Sequence, residues 1–189
     1  MSQSEEAQRL EDLAAQIRSC EQCPLYASRT HAVPGDGSPS ARVMLVGEAP
    51  GREEDQRGRP FVGAAGRFLD EVLAGSGVDR GNLFITNTVK CRPENNRPPR
   101  KREVDTCTSL YLAEQIALVN PALIMVLGSV AAKKLLGVRS VNEARGQVIE
   151  HDNRKYLVGY HPAASFYRED MAENIRQDFY LLREELQKL

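Results

Sequence analysis

The sequence predicts an α/β fold: a single three-layer α/β/α domain over residues 1–189, with a mostly parallel central sheet of about four to five strands. Strand-like and helix-like segments alternate through most of the chain. The strand-like segments are apolar throughout, which is typical of parallel strands buried on both faces. A chain of 189 residues, of which 41% are hydrophobic, suits one sizeable core.

The first half of the chain contains two predicted helices and one strand around a turn segment. Leu10, Leu13, Ala14 and Ile17 fall on one face of a helix over 4–18. Turn-forming residues dominate the segment 30–40 that follows. The remaining predictions in this half are an apolar strand at 42–47 and a helix at 64–77 that ends in glycine.

The second half continues the alternation. A strand at 82–87 precedes a helix at 103–119, which Asn120 and Pro121 terminate. The last helix carries Ile175 and Phe179 on one face at helical spacing. The other elements are a strand at 122–128, a short helix at 129–137, two strands that could form a hairpin in GQVIEH and RKYLVGYH, and the last helix at 169–188.

Composition excludes several classes of protein. The net charge of −1 argues against a protein that coats nucleic acid through a globally basic surface. No apolar run approaches ~20 residues, so we expect no membrane span and no membrane partner. The acidic N-terminus does not resemble a signal peptide. We therefore expect a cytoplasmic protein, whose cysteines would not normally form disulfides.

Polar residues follow four of the predicted strands at their carboxyl ends. Glu48 follows the first strand, Asn87 ends the second, Ser129 follows the third and His161 ends the last. Ligands of open α/β sheets bind beyond these ends. Although a single strand-terminal asparagine is often a turn cap, four such residues at one edge favour a binding site.

The segment from Val43 to Leu73 begins like a nucleotide-binding unit, with a strand, a glycine turn and a helix. Its turn contains no lysine and its glycines do not fit a phosphate-binding loop. The turn is acidic instead, with Glu48, Glu53, Glu54 and Asp55. These carboxylates disfavour a phosphate ligand.

The four cysteines are two pairs, Cys20-x2-Cys23 and Cys91-x15-Cys107. A C-x2-C pair in a cytosolic chain usually binds a metal or is redox-active. We expect a single four-thiolate site, although Cys91 and Cys107 could instead be small buried hydrophobes. Zinc and iron–sulfur both stay open, and the wide second spacing favours a cluster. This site would join 18–24 to 88–107.

Four motifs occur in a fixed order with this cysteine spacing: GEAPGREED, GRPFVGAAG, TNTVKCRP and HPAAS. Together they resemble family 4 uracil-DNA glycosylase, the iron–sulfur branch of its superfamily in bacteria and archaea. The resemblance runs from Cys20 to the final helix. It implies a [4Fe-4S] cluster on Cys20, Cys23, Cys91 and Cys107. It also implies excision of uracil from single- or double-stranded DNA by a monofunctional enzyme of a prokaryotic cytoplasm, which we expect to be monomeric.

The resemblance also implies roles for the residues around the acidic turn. Uracil would stack on Phe61 and be read by Asn87 and by the main chain of Gly47, Glu48 and Ala49, with His161 beside it. Uracil becomes anionic as it leaves, so main-chain N–H groups and His161 are candidate donors to its O2. The sugar becomes cationic, so a carboxylate could stabilise it and orient water. Glu48 is the first candidate and Glu54 the second.

Two departures from related families bear on mechanism. In family 1 enzymes the corresponding loop reads GQDPY, whose aspartate assists the water and whose tyrosine blocks thymine. Ala49 and Gly51 stand at these positions here, so other residues must do both tasks. Residues 88–102 contain no histidine, so we expect turnover and not the covalent trapping of another relative.

Two surface segments are candidates for holding DNA. The run RPPRKR supplies Arg97, Arg100, Lys101 and Arg102, although such a run is often only a solvated loop. The loop 164–168, which ends in Arg168, could fill the gap left by a flipped base or simply lead into the last helix.

Three other functions are consistent with parts of the sequence. A nucleotide hydrolase could hold magnesium on the acidic turn, a non-catalytic iron–sulfur module could bind DNA, and a glycosylase could accept hypoxanthine or xanthine. Sensitivity to EDTA tests the first, and assays with other bases test the last.

Overall fold

A computed structural model describes residues 3–189, apart from the side chains of Gln3 and Glu169. The strands are β1 (Asp36–Gly37), β2 (Val43–Gly47), β3 (Leu83–Asn87), β4 (Leu123–Leu127), β5 (Val148–His151) and β6 (Arg154–Gly159). The helices are α1 (Gln3–Ser19), α2 (Arg52–Arg57), α3 (Ala64–Ser76), α4 (Lys101–Cys107), α5 (Ala113–Val119), α6 (Ser129–Leu136), α7 (Val141–Ala144) and α8 (Glu169–Gln187).

The described strands form one six-stranded sheet in the order β1-β3-β2-β4-β6-β5. The four central strands are parallel, and β1 and β5 pair antiparallel at the two edges. The α/β class and the mostly parallel sheet are confirmed, and β5 and β6 form the predicted hairpin. The predicted count of four to five strands falls short of the six observed, because β1 has only two residues and lies among turn-forming residues.

Helices cover both faces of the sheet. Successive side chains of a strand point to opposite faces, so each apolar strand contributes residues to two cores. Val43 and Leu45 of β2 join a core with α3 and α8, while Met44 and Val46 join a core with α5 and α6. These are the three layers that the continuously apolar strands predict. None of the helices in the described part of the chain is long and apolar enough to cross a membrane.

The predicted helix 103–119 is two α-helices, α4 and α5, joined by a π-helical turn at Thr108–Leu112. The turn begins directly after Cys107. A π turn adds one residue to a helical turn and changes which side chains share a face. Apolar periodicity does not resolve a single added residue, so the sequence predicted an uninterrupted helix.

A third hydrophobic cluster is formed by residues of α1, α4 and α5 and of the segment that follows β3. It contains all four cysteines at its centre or border, packed with Leu13, Ile17, Leu25 and Val104. The N-terminal helix and the segment 89–107 thus share this cluster.

Candidate active site

A pocket opens at the carboxyl edge of the sheet, above β2, β3 and β6. Glu48, Phe61, Asn87 and His161 line it together, so three of the four predicted strand-end residues do converge. Ser129, the fourth, is not among its lining residues and instead begins α6. The convergence follows from the parallel strands, whose carboxyl ends share one edge.

Phe61 forms one wall of the pocket. Its backbone has a φ of 50°, which is rare for a residue with a side chain, and its ring lies 5.5 Å from the His161 ring in a stacked arrangement. Gly47 makes room for this ring, because a Cβ there would lie 2.8 Å from Phe61 Cζ. Arg80 donates to the carbonyl oxygens of Pro60 and Phe61 and so stabilises the unusual turn.

Asn87 is the last residue of β3 and lies opposite Gly47 in the parallel register. The residue is 2% exposed, and its Oδ1 is buried without a hydrogen-bond partner among the residues that the structure describes. A buried acceptor without a donor costs about 1–3 kcal/mol. Since Asn87 lines the pocket, a ligand with an N–H group at this point would remove that cost.

His161 enters the pocket as the residue before a 3₁₀ helix at Pro162–Phe166. Its Nδ1 accepts a hydrogen bond of 3.2 Å from the backbone N–H of Ala163. Burial lowers the pKa of His161 to about 4, although nearby Glu54 acts in the opposite direction. Near pH 7 the imidazole is therefore neutral, and because Nδ1 accepts, Nε2 carries the proton and is a donor.

Glu48 begins the loop that follows β2. The loop is fixed by its main chain, because Thr88 Oγ1 donates to the Glu48 carbonyl oxygen at 2.6 Å and the Val89 N–H donates to it at 3.2 Å. Within residues 3–189, the Glu48 carboxylate has no hydrogen-bond or ion-pair partner. Burial raises the pKa of Glu48. The side chain is thus a half-buried carboxylate facing the pocket.

Glu54 has a different environment, although it also lines the pocket. Its Oε1 accepts from the backbone N–H groups of Val62 and Gly63, and its Oε2 accepts from that of Gly51. The carboxylate therefore joins both sides of the turn that contains Phe61. Residues Glu53, Glu54 and Asp55 of the acidic turn belong in fact to the short helix α2, in which Glu54 and Asp55 are buried. The run REEDQR has no apolar periodicity, which is why the sequence predicted only a loop.

The basic run RPPRKR divides into paired and unpaired side chains. Arg97 lies at the rim of the pocket and forms two hydrogen bonds with buried Glu103, at 2.7 and 2.9 Å. Lys101 pairs with Asp105. Arg100 and Arg102 are exposed, and neither has an ion-pair partner in the described part of the chain. Glu103 thus presents Arg97 in a fixed orientation.

The loop after His161 carries two exposed aromatic side chains. Phe166 is 54% exposed and Tyr167 is 85% exposed, and Tyr167 also lines the pocket. Arg168, the next residue, forms an ion pair with Asp170. Exposed aromatic rings beside a pocket are well placed to contact the bases of a nucleic acid.

The four cysteines are free thiols that line one cavity, separate from the pocket. Arg29 reaches this cavity, where its Nη1 lies 3.3 Å from Cys91 Sγ. Burial raises the pKa of Cys107 to about 11, against the opposing effect of the Lys90 ammonium. Burial also raises the pKa values of Cys23 and Cys91, against Arg29. Thiolates in this cavity therefore have cationic neighbours.

The thiols surround a space and do not converge on one point. Among residues 3–189, no three histidine, cysteine, aspartate or glutamate side chains are grouped to hold one metal ion. In a cluster of several irons each thiolate binds a different iron, so the sulfur atoms stand further apart than around a single ion. The donor set of four cysteines with a central cavity fits such a cluster.

Sequence reasoning missed one polar group behind the pocket. Lys90 is 1% exposed, and its Nζ donates to Thr86 Oγ1, to the Asn87 carbonyl oxygen and to Gln115 Oε1. Lys90 lies inside the motif TNTVKCRP, but nothing in its neighbours predicts that a lysine is buried. Gln115 lies on α5, and only the packing of that helix brings it to Lys90.

Comparisons with known proteins agree with this geometry. The family model described as the uracil DNA glycosylase superfamily matches residues 34–185. The chain is 41% identical over 179 residues to the type-4 uracil-DNA glycosylase of Archaeoglobus fulgidus, with 90% of this chain and 89% of the relative covered. It is 43% identical over 178 residues to that of Pyrobaculum aerophilum, covering 89% and 90%.

A third relative, the type-4 uracil-DNA glycosylase of Thermotoga maritima, is 40% identical over 157 residues, with 82% of this chain and 81% of the relative covered. The chain is thus a member of the uracil-DNA glycosylase superfamily. Within that superfamily the chain belongs to the type-4 uracil-DNA glycosylases, which confirms the predicted family.

Proposed function

We propose that this chain is a monofunctional uracil-DNA glycosylase of base excision repair. It flips uracil out of DNA, hydrolyses the N-glycosidic bond, releases free uracil and leaves an abasic site. The observation that carries this function is the buried, unpartnered Oδ1 of Asn87, between the Phe61 wall and a neutral His161. A base inside a duplex cannot reach such a pocket, so the nucleotide must rotate out of the stack.

Asn87 distinguishes uracil from cytosine. Uracil presents an N3–H donor beside an O4 acceptor, so the Asn87 Oδ1 accepts from N3–H and its amide group donates to O4. Cytosine presents the reverse pattern and would leave both partners unpaired in a buried site, at about 1–3 kcal/mol each. The ring of Phe61 stacks on the base and contributes contact area for any pyrimidine.

His161 stabilises the leaving base. Cleavage puts negative charge on N1 and O2 of uracil, and a donor aimed at O2 lowers the energy of that state. The neutral imidazole supplies its Nε2–H, because Nδ1 is occupied by the N–H of Ala163. Backbone N–H groups of 47–49 are the second source of donors. A neutral histidine does not transfer a proton to uracil, so the base leaves as an anion.

Glu48 acts on the sugar. The deoxyribose becomes cationic as the bond breaks, and an unpaired carboxylate in a partly desolvated pocket stabilises that charge strongly. The same carboxylate can accept a hydrogen bond from the attacking water. Glu54 was the second candidate for this role. Its oxygens already accept from three backbone N–H groups, which supports Glu48 as the acting carboxylate and Glu54 as the support of the Phe61 turn.

The cysteine cavity is proposed to hold a [4Fe-4S] cluster on Cys20, Cys23, Cys91 and Cys107. Two observations support this proposal: four free thiols surround one space, and the cationic side chains of Arg29 and Lys90 lie next to them. When bound, the cluster would supply covalent links between the N-terminal segment and the segment 88–107. The groups that act on uracil are side chains of the pocket and the backbone N–H groups of 47–49.

DNA is proposed to bind across the rim of the pocket, with the protein acting as a monomer. Arg97 lines the pocket, and we expect it to contact phosphates together with Arg100, Lys101 and Arg102. Tyr167 also lines the pocket, and its exposed ring, with Phe166 and Arg168 beside it in the chain, is the candidate to fill the space left by the flipped base. Lys101 and Arg168 form ion pairs with Asp105 and Asp170, and the N–H groups that those pairs leave free can bind phosphate.

A strand-nicking assay tests the function. The protein is incubated in EDTA with a labelled oligonucleotide containing one uracil, treated with alkali, and compared with matched thymine and cytosine oligonucleotides. We expect cleavage at uracil alone, and a loss of at least about 100-fold in Asn87→Ala because two buried hydrogen bonds disappear. Cleavage that requires magnesium, or an unaffected Asn87→Ala protein, would contradict the assignment.

The cluster is tested without reference to activity. Protein purified anaerobically should contain about four irons per chain and absorb visible light near 400 nm, as expected for thiolate-bound clusters. Each of Cys20→Ser, Cys23→Ser, Cys91→Ser and Cys107→Ser should lose this absorbance and melt at a lower temperature. A single tightly bound zinc with no iron would overturn the proposal.

A further inference from the structure

Lys90 is a buried lysine whose ammonium group forms no ion pair with a carboxylate among residues 3–189. All of its acceptors are neutral: Thr86 Oγ1 at 2.5 Å, Gln115 Oε1 at 2.6 Å and the Asn87 carbonyl oxygen at 2.8 Å. An ammonium group has three N–H donors, so these contacts use all of them. Burying an ammonium group is costly unless its donors are paired. The role of Lys90 must lie in what those three acceptors do.

The hydrogen bonds continue beyond Lys90 to the segment before β1. Thr86 Oγ1 donates to the Pro34 carbonyl oxygen at 2.9 Å, and Gln115 Nε2 donates to the same oxygen at 2.7 Å. The Val33 N–H in turn donates to the Lys90 carbonyl oxygen at 2.7 Å. The network therefore joins the end of β3, helix α5 and the 33–34 segment, with Lys90 at its centre.

This network lies where the sheet leaves β3 without a partner on one side. On that side β1 pairs only with Phe84 and Ile85, and Ile85 lies opposite Asp36, the first residue of β1, so Thr86 and Asn87 have no partner in β1. On the other side both residues pair with β2. Lys90 donates a hydrogen bond to the Asn87 backbone, and Lys90 and Gln115 both contact the Thr86 hydroxyl.

Lys90 also borders the cysteine cavity. It precedes Cys91 in the chain and is among the residues that line the cavity. Its ammonium and its backbone N–H both oppose the effect of burial on the pKa of the Cys107 thiol. One side chain thus contacts the backbone of Asn87 from the side of the molecule where the cysteines lie. The position of Asn87 is in this way linked to the packing around the cysteines.

We propose that Lys90 is a positioning residue for base recognition: its ammonium holds the end of β3, so that the Asn87 amide meets the uracil edge in one fixed position. The inference rests on the proposed function, since it concerns how that pocket reads uracil. The hydrogen bond from Lys90 also supports the backbone of Asn87 on the side where β1 does not pair with it.

The test compares Lys90→Met, which keeps an unbranched side chain only one heavy atom shorter and removes its donors, with Lys134→Met. Lys134 is also partly buried near α4, but it pairs with Asp105 and does not contact β3. Affinity is measured for a duplex with one 2′-fluoro-deoxyuridine, whose fluorine disfavours the cationic sugar and slows cleavage. The same duplex with a tetrahydrofuran abasic analogue is the reference, and iron content and melting temperature are recorded for each variant.

We expect the ratio of uracil affinity to abasic affinity to fall about 10- to 100-fold in Lys90→Met, the range that a displaced recognition group produces. The iron content and the abasic affinity should stay near those of the wild type, and Lys134→Met should keep the wild-type ratio. A purely structural lysine would lower the folded fraction and so reduce both affinities together. An unchanged ratio in a folded Lys90→Met protein would overturn the inference.

Gln115→Leu is the deciding variant if Lys90→Met does not fold. It removes one acceptor of Lys90 and the donor to Pro34, and the ratio should fall in the same direction by a smaller factor. An unchanged ratio in folded Gln115→Leu would likewise overturn the inference. Wild-type protein with equal affinity for the two duplexes would instead refute the proposed function, so the two failures are distinguishable.

Discussion

Glu48 and Glu54 show how two carboxylates in one pocket acquire different properties. Glu54 accepts three backbone hydrogen bonds, whereas the Glu48 carboxylate has no partner within residues 3–189. Burial without a compensating donor raises the pKa of Glu48. The residue type and its place in the chain are similar in both cases, so the difference arises from the surrounding backbone.

The pH dependence of cleavage should report Glu48. The ionised carboxylate is the active form, so the single-turnover rate should fall as the pH drops through a pKa above the ordinary value of 4.5. His161 stays neutral down to about pH 4, so it does not contribute to this decrease. Glu48→Gln should be about 100-fold slower and lack the acid limb. If the rate of Glu48→Gln still falls at low pH, that decrease is due to the protonation of another group.

Individual pocket residues were predictable to different degrees. Asn87 and His161 were predictable because parallel strands bring their carboxyl ends together, and the structure does place both in one pocket with Glu48 and Phe61. Lys90 was not predictable, because its burial depends on Gln115, which is 25 residues away in sequence. A long-range hydrogen bond of this kind has no local pattern.

At the scale of an element, α3 depends on a glycine in its first turn. A Cβ on Gly66 would overlap the backbone of Phe61, whose φ of 50° brings its carbonyl group against the helix. Gly75, near the other end of the same helix, has no atom within 4 Å of such a Cβ. The two glycines thus form a matched pair within one helix.

Gly66→Ala should destabilise the protein by about 1–3 kcal/mol, because the Phe61 turn must move to admit the new methyl group. Gly75→Ala should stabilise it by about 0.5–1 kcal/mol, because alanine favours helix and nothing opposes its side chain. Urea unfolding of both variants measures these changes. If Gly66→Ala is as stable as Gly75→Ala, the close packing of Phe61 on α3 is incorrect.

The long elements were predictable and the short ones were not. Each apolar strand and the helices α1, α3, α6 and α8 carry enough periodic residues to define a face. The helix α2 has six mostly charged residues, and the π turn after Cys107 changes the helical register within five residues. The π turn contributes to the cysteine cavity, because its Tyr111 lines that cavity. Burial and the neighbouring Cys20 raise the pKa of Tyr111.

At the scale of the whole molecule, net charge conceals a local cationic surface. The chain has a formal net charge of −1, yet Arg97, Arg100, Lys101 and Arg102 lie within one run of six residues, and Arg97 lines the pocket. Binding to DNA depends on the charges that meet the phosphates and not on the total. Because acidic residues on the remaining surface repel DNA, approach from the basic rim is favoured.

The salt dependence of DNA affinity should measure this rim. Replacing Arg100 and Arg102 together by alanine should make the slope of log affinity against log salt shallower by about 2, near 0.9 for each lost phosphate contact. The ratio of uracil affinity to abasic affinity should not change. Arg139→Ala is the control, because Arg139 is an exposed arginine that belongs neither to the run RPPRKR nor to the pocket lining. An equal change in slope for Arg139→Ala would place the DNA elsewhere.

The positions of the cysteines have a consequence for the order in which the protein is made. Cys20 and Cys107 enclose β2, α2, α3 and β3, so Glu48, Phe61 and Asn87 all lie between them. His161, the proposed donor to the departing base, follows Cys107, as do Ala163, Ala164 and Tyr167 of the pocket lining. When the ribosome has synthesised Cys107, the base-reading half of the pocket and all four thiols exist, while β4 and β6 do not. Cofactor insertion during translation could therefore secure uracil recognition before the residue that stabilises the departing base is made.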